Sequence, residues 1–157
     1  MNSAHAFEYP EDIQALVEAL GSFIRAEILP RHKKHADLLS DTRRKYMPDG
    51  RFTPEMWAII AEIRKASADA GFYQMSVPEE IGGGGMGLLA YFAAWEYISR
   101  TCGPRDWLSY YIISHWAKGP SPVLAEATAK AKADILPGIM NGDKTMCFAL
   151  SEPEAGS

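Results

Sequence analysis

The last seven residues of the chain, 151–157, combine small and hydroxyl-bearing side chains in a way that suits binding of a negatively charged group. They follow a segment, 145–150, in which the side chains alternate with the period of a short strand. Backbone N–H groups beyond the last pair of a strand lack a ladder partner and can stabilise negative charge. Gly156 allows a close backbone approach, and Ser157 adds a hydroxyl donor. An ordinary surface turn is the alternative interpretation, because turns use the same residue types.

A second candidate is the glycine-rich run, in which Gly82, Gly84 and Gly87 match the spacing G-x-G-x-x-G of dinucleotide-binding turns. Its context does not match, because residues 78–80 read Pro-Glu-Glu where a hydrophobic strand should precede the first glycine. No Gly-Lys-Ser/Thr follows, which excludes a phosphate-binding P-loop. The run therefore predicts a flexible turn between helices.

Four residues of a basic stretch have side chains that bind metals: His32, His35, Asp37 and Asp41. Their spacing is not diagnostic, and the two lysines between the histidines would repel a cation. The basic clusters 31–34 and 43–45 could attract a phosphate, but a solvated link is the expected role of both. His115 is interpreted as an interior histidine with satisfied hydrogen bonds, not as a catalytic base.

Helical periodicity accounts for most of the chain. The expected helices span 10–29, 53–71, 88–100 and 107–118, and residues 123–141 are expected to form one or two helices with a kink at Pro137. Pro30 is expected to end the first helix. Thr53 is a typical N-cap, and Gly71 suits a C-cap. The link 31–52 is long, so we expect it to carry a short helix or a family-specific insertion. Most aromatic residues of the third and fourth helices are expected in the core.

These elements predict an all-α fold, a bundle of about five to six helices that ends in the first strand of a further β domain. A single strand has no partner for its ladder, so helices followed by one strand indicate an architecture that continues in another domain. We expect residues 1–144 to form the helical domain and residues 145–157 to begin the β domain. In that view the β domain is truncated here.

Composition excludes several classes of protein. The chain has 157 residues, a formal net charge of -4 and 47% hydrophobic residues, as in ordinary globular domains. The negative charge argues against general nucleic-acid binding, which needs Lys and Arg to neutralise phosphates. No apolar run is long enough for a membrane span, and the N-terminus lacks the features of a secretory signal. The two cysteines cannot form a disulfide framework, so we expect a cytoplasmic location.

Three segments together resemble the acyl-CoA dehydrogenase family. Residues 77–88 are similar to its "PEExGGxG" turn, and residues 136–142 to its "LPxIxxG" approach to the strand. Residues 148–157, which read FALSEPEAGS, resemble its "FALTEPxAGSD" signature, with Ser151 where threonine is common. The resemblance covers residues 8–157, and the order and spacing of the three segments agree with the family. The link 31–52 is longer than usual, which leaves the subfamily open.

The resemblance implies an FAD-dependent enzyme that desaturates acyl-CoA thioesters between the α and β carbons. It implies that Phe148, Leu150, Ser151, Gly156 and Ser157 contact FAD, and that Ser157 also touches the acyl-CoA. The catalytic base is expected in a C-terminal domain, so none of the residues 1–157 is assigned as catalytic.

The implied partners are an acyl-CoA substrate, an electron-transfer flavoprotein or similar acceptor, and further copies of the full-length protein in a homo-oligomer. By itself, the chain is expected to be inactive and to bind FAD weakly or not at all. Two alternatives stay open: a non-catalytic helical binding or scaffold module derived from this fold, and an acyl-CoA oxidase-type relative.

Overall fold

The computed structural model describes residues 8–103, 106–116 and 118–147. Its α-helices are α1 (Glu11–Phe23), α2 (Leu29–Lys34), α3 (Ala36–Ser40), α4 (Thr42–Lys45), α5 (Pro54–Asp69), α6 (Gly87–Cys102), α7 (Ala129–Asp134) and α8 (Leu136–Met140). A π-helical turn spans Ile24–Ile28, and 3-10 turns span Glu79–Ile81, Ser109–Tyr111 and Pro122–Glu126. The described residues contain no strand beyond an isolated antiparallel bridge between Tyr46 and Phe52. The prediction of an all-α fold is confirmed.

The three longest helices, α1, α5 and α6, form the body of the domain. Their apolar faces supply fully buried side chains, among them Leu20, Ile60 and Ile63. α1 packs against α6 where Gly21 lies close to Tyr97; a methyl group at Gly21 would stand 2.4 Å from the Tyr97 hydroxyl. Because no side chain intervenes, the two helices approach closely.

The first helix does not end at Pro30, so this prediction was wrong. The π-helical turn at Ile24–Ile28 precedes it, and Pro30 falls in the first turn of α2. Proline is tolerated there because the first turn of a helix needs no backbone donor. The long link that follows contains α3 and α4, which agrees with the expectation that it carries a short helix.

The start and end of α5 follow the sequence closely. Thr53 Oγ1 accepts a hydrogen bond from the backbone N–H of Met56 at 3.3 Å, and Pro54 is the first helical residue. The helix ends at Asp69, and Gly71 adopts a φ of +82° just beyond it. A left-handed glycine at this place satisfies the last carbonyls of a helix. Both predicted caps are confirmed in position.

The predicted helix over 107–118 was wrong. Only Ser109–Tyr111 is helical among the described residues of that segment, as one 3-10 turn. The Asp106 carboxylate accepts hydrogen bonds from the N–H groups of Leu108 and Ser109 at 2.9 and 3.1 Å. Farther along, the Ser114 N–H donates to the Tyr73 carbonyl at 3.0 Å. A local side-chain cap and one long-range backbone bond thus take the place of the i→i−4 bonds that a helix would need.

The region after this segment consists of short elements. α7 and α8 agree with the prediction of one or two helices over 123–141. They meet at Ile135, and Pro137 lies in the first turn of α8, which agrees with the predicted kink. Residues 145–147 form no ladder within the described part of the chain. The rest of the predicted strand, 148–150, lies outside the described residues.

Candidate functional site

The five residues predicted to contact the cofactor, Phe148, Leu150, Ser151, Gly156 and Ser157, lie outside the described residues. The chain that leads to them is anchored on one carbonyl group. Thr145 donates its hydroxyl hydrogen to the Lys118 carbonyl oxygen, and the Met146 N–H donates to the same oxygen at 3.3 Å. Thr145 and Met146, near the end of the described residues, therefore lie beside Lys118.

The glycine-rich turn, 82–87, uses its own amide groups. The N–H groups of Gly83, Gly84, Gly85 and Met86 donate to the carbonyls of Pro78, Gln74, Val77 and Met75 at 2.9–3.1 Å. A dinucleotide-binding turn needs such groups to point at a pyrophosphate. The amides of residues 82–86 are already bonded to carbonyls of residues 74–79, so the interpretation as a turn between helices is confirmed.

Close packing explains why a glycine stands at position 83. A methyl group there would lie 2.0 Å from the Val77 carbonyl oxygen, which is far inside van der Waals contact. The φ of +91° at Gly82 ends the preceding 3-10 turn in the left-handed region. The run of glycines is therefore a requirement of local folding.

Aromatic side chains surround a cleft between α5 and the 106–120 segment, with a volume of about 120 Å³. This aromatic cleft is lined by Phe52, Trp57, Tyr73, Tyr110, Tyr111 and His115, and by the cationic side chains of Arg64 and Lys118. A neighbouring cavity of about 400 Å³ shares part of this wall and adds Tyr46, Asp106 and Trp107. Trp107, Tyr110 and Tyr111 were expected in the core, whereas all three line these cavities.

Arg64 is the functional candidate that the sequence analysis missed. It projects from α5 on the same side as Trp57, seven residues earlier, and its guanidinium carbon lies 5.0 Å from the centre of the Trp57 ring. Only 5% of the residue is exposed. The spacing i, i+7 between an aromatic residue and an arginine was a usable signal, because these positions share one helix face.

The expectation that cluster 43–45 is a solvated link was wrong for Lys45. Its side chain is buried, with 1% of the residue exposed, and Nζ lies 4.1 Å from the centre of the Trp107 ring. The aliphatic stem packs among apolar groups while the ammonium group contacts the aromatic face. Arg43 in the same cluster is 91% exposed and pairs with Asp41, as a solvated link requires.

Two titrating side chains of the cleft, Tyr111 and His115, have pKa values shifted in favour of their neutral forms. Burial, and then the neighbouring Tyr46 and Tyr110, raise the pKa of Tyr111 to about 12. Burial lowers the pKa of His115, and the positive charge of Lys118 lowers it further. His115 is half-buried at the cleft wall, 6.3 Å from Tyr110 between ring centres. A neutral imidazole there agrees with a packing role.

The metal-ligand pattern of the basic stretch does not form a site. Within the ranges 8–103, 106–116 and 118–147, no three His, Cys, Asp or Glu side chains gather closely enough to hold a metal ion. His35 instead lies 4.0 Å from Glu55 at the start of α5. Burial raises the pKa of the Cys102 thiol, and the charge of Asp106 adds to the shift, so this cysteine is held as a thiol.

Known proteins resemble the chain over most of its length. The family model "Acyl-CoA dehydrogenase, N-terminal domain" matches residues 10–143. The short-chain specific acyl-CoA dehydrogenase of mouse mitochondria is 38% identical over 97 residues, which cover 62% of this chain and 23% of the mouse protein. The pig protein of the same name is 31% identical over 150 residues, covering 96% of this chain and 31% of the relative.

A subunit of the caffeyl-CoA reductase-Etf complex of Acetobacterium woodii is 32% identical over 96 residues, which cover 61% of this chain and 24% of that subunit. The chain thus spans between about a quarter and a third of these relatives. No solved structure gave a significant match. Every helix in the described ranges is too short or too polar to traverse a lipid bilayer. From the family match and the all-α architecture, the chain belongs to the acyl-CoA dehydrogenase family, whose N-terminal domain it contains.

Proposed function

We propose that the chain is the N-terminal part of an FAD-dependent acyl-CoA dehydrogenase that desaturates an acyl-CoA thioester. The observation that carries the proposal is the family match over residues 10–143, together with the FALSEPEAGS segment at 148–157. In this proposal residues 1–144 form the helical domain and residues 145–157 begin a β domain. The relatives are three to four times as long as the matched regions, which supports a longer protein.

Flavin binding is assigned to the backbone of Leu150 and Ser151, the ring of Phe148, and the small residues Gly156 and Ser157. When bound, FAD supplies the acceptor for the hydride removed from the substrate. The backbone N–H groups of Leu150 and Ser151 and the Ser151 hydroxyl would donate to the flavin ring, where such donors stabilise negative charge. The amides of residues 82–86 are bonded to carbonyls of the chain, which supports placing the diphosphate contact at 155–157.

The substrate and the redox partner follow from the family. Two relatives are named as short-chain specific acyl-CoA dehydrogenases, and a third belongs to a complex with Etf. We therefore assign an acyl-CoA as substrate, with Ser157 as a contact, and an electron-transfer flavoprotein or similar acceptor as partner. A cytoplasmic location stays a prediction.

Exposed apolar residues on α6 support contact with further polypeptide. Leu88 is 71% exposed and Phe92 65% exposed, and Leu89 lies beside them. Contiguous exposed apolar groups of this kind are typical of surfaces that meet other protein. Homo-oligomer formation by the full-length protein belongs to the same proposal, as does inactivity of residues 1–157 alone.

The decisive experiment uses the protein encoded by the complete reading frame around this chain. We expect it to purify with bound FAD, and its oxidised flavin absorbance should bleach when acyl-CoA is added without oxygen. Gly156→Val should abolish FAD binding, because the branched side chain blocks backbone approach. Ala129→Val, which adds bulk at an exposed position of α7, is the matched control and should retain FAD.

Other outcomes identify the alternatives. A protein that stays colourless after addition of FAD, or a reading frame that stops after codon 157, would contradict the proposal and favour a scaffold module. Rapid reoxidation of the reduced flavin by oxygen would favour an oxidase-type relative. Stopped-flow absorbance separates that case from a dehydrogenase.

A further inference from the structure

The aromatic cleft has the shape and lining of a site for a flat apolar group. Rings from three separate parts of the chain face it: Trp57 on α5, Tyr73 after α5, and Tyr110 and Tyr111 in the 106–120 segment. Aromatic walls attract planar ligands through offset or edge-to-face stacking. A saturated ring of equal size would lose this part of the interaction.

The floor of the cleft holds a buried cation with an unused donor. The Nε–H of Arg64 is buried and has no hydrogen-bond partner among the residues that the structure describes. Burial raises the pKa of the Tyr73 hydroxyl, and the nearby positive charge of Arg64 opposes this shift. An unsatisfied buried donor on a charged group is costly, and a carboxylate oxygen is its strongest partner.

A second cation lies at the rim. The Nζ of Lys118 is 5.3 Å from the centre of the Tyr110 ring and the residue is exposed, so the ammonium group can move toward an anion in the cleft. The acidic residue of the neighbouring cavity, Asp106, is occupied by the backbone N–H groups of Leu108 and Ser109. The lining is therefore aromatic and electropositive.

We propose that the aromatic cleft binds an aromatic carboxylate, with the ring between the aromatic side chains and the carboxylate on the Arg64 Nε–H and the Lys118 ammonium group. The site lies within the described residues and needs neither FAD nor coenzyme A. It goes beyond the acyl-CoA dehydrogenase assignment and is tested separately from it.

The test is a titration of the 157-residue chain with benzoate, followed by the nitrogen and proton shifts of the Arg64 Nε–H group. Benzoate should shift this signal in a saturable manner. Benzamide removes the charge and cyclohexanecarboxylate removes the aromatic ring. Each should bind at least about tenfold more weakly, a difference of about 1.4 kcal/mol.

Two variants locate the charge that recognises the ligand. Lys118→Met should weaken benzoate binding several-fold and leave benzamide binding unchanged. Lys65→Met is the matched control. Lys65 follows Arg64 on α5, but its side chain lies in solvent and pairs with Asp143. It should bind benzoate as the parent chain does.

Several results would overturn the proposal. They are an Arg64 Nε–H signal that benzoate does not move, equal affinity for benzoate and benzamide, or a loss in Lys65→Met as large as that in Lys118→Met. Arg64→Lys retains the charge but lacks the Nε donor, so it should weaken benzoate binding. If circular dichroism shows that Arg64→Lys is unfolded, the titrations of the parent chain and of Lys118→Met test the proposal without it. Loss of flavin reduction in the full-length protein would leave these results unchanged, so the two proposals fail independently.

Discussion

The helical body and the 106–147 segment are built on different physical principles. In the body, aliphatic side chains at helical spacing, such as Leu20 and Ile63, are fully buried where α1, α5 and α6 pack. In the segment, short turns are held by hydrogen bonds to distant backbone groups, and rings such as Tyr110 stand half-open at cavities. The body supplies most of the buried aliphatic core, to which the segment adds Leu108, Ile112 and Ile113, and the segment also forms one wall of the aromatic cleft.

The largest expected effect is the truncation of a buried side chain in the body. Leu20→Ala should lower the free energy of unfolding by about 2–5 kcal/mol, because it leaves a cavity in a fully buried site. Urea denaturation measures this loss. Leu89→Ala makes the same change at a half-exposed position of α6 and should cost about 0.5 kcal/mol or less. Equal losses would show that the body is not packed as described.

A smaller loss in the free energy of unfolding is expected from a substitution in the glycine-rich turn that connects α5 to α6. Gly83→Ala should cost about 1–3 kcal/mol, since its methyl group meets the Val77 carbonyl oxygen. Gly50→Ala is the control: its methyl group enters open space, and only the φ of +82° opposes it. That variant should lose about 1 kcal/mol. A neutral Gly83→Ala would contradict the close backbone approach.

The contribution of Tyr111, in the segment, to the free energy of unfolding should be measurable at high pH. The pKa of Tyr111 is raised to about 12, so the folded state holds this proton more tightly than the unfolded chain, where a tyrosine has a pKa of about 10. The resulting stabilisation is complete below about pH 10 and is lost as the pH rises toward 12. Between pH 10 and pH 12, the free energy of unfolding should fall by about 1–2 kcal/mol less in Tyr111→Phe than in the parent chain. Urea denaturation across that pH range measures the difference. Identical pH profiles would place Tyr111 in solvent.

The smallest effect concerns the buried lysine that joins the two regions. Lys45 lies at the end of α4 and contacts Trp107 in the segment. A double-mutant cycle of Lys45→Met and Trp107→Leu should give a coupling free energy of about 1 kcal/mol. Additive losses would mean that the ammonium group does not use the ring.

The sequence predicted the body well because its signals are local. The 3.6-residue period, the Thr53 cap and the Gly71 stop depend on neighbours along the chain, and α5 follows them. The prediction that Pro30 ends the first helix was wrong because a π-helical turn upstream places Pro30 in the first turn of α2. That turn has no simple sequence signature.

The segment could not be predicted in the same way. Its aromatic spacing resembles that of a helix, but the structure depends on Asp106 as a local cap and on a bond from Ser114 to the Tyr73 carbonyl. Such long-range partners are invisible to periodicity. The cofactor residues were inferred only from resemblance, and they remain a prediction because they lie outside the described residues.

The assignment of flavin contacts to the last residues of the chain is tested most directly by hydrogen exchange. The full-length protein would be compared with and without FAD, residue range by residue range. We predict slower amide exchange at 150–151 and 156–157 on binding FAD, and no change at 82–86, where the amides are already bonded. Protection of the glycine-rich turn, with none in residues 148–157, would contradict the account.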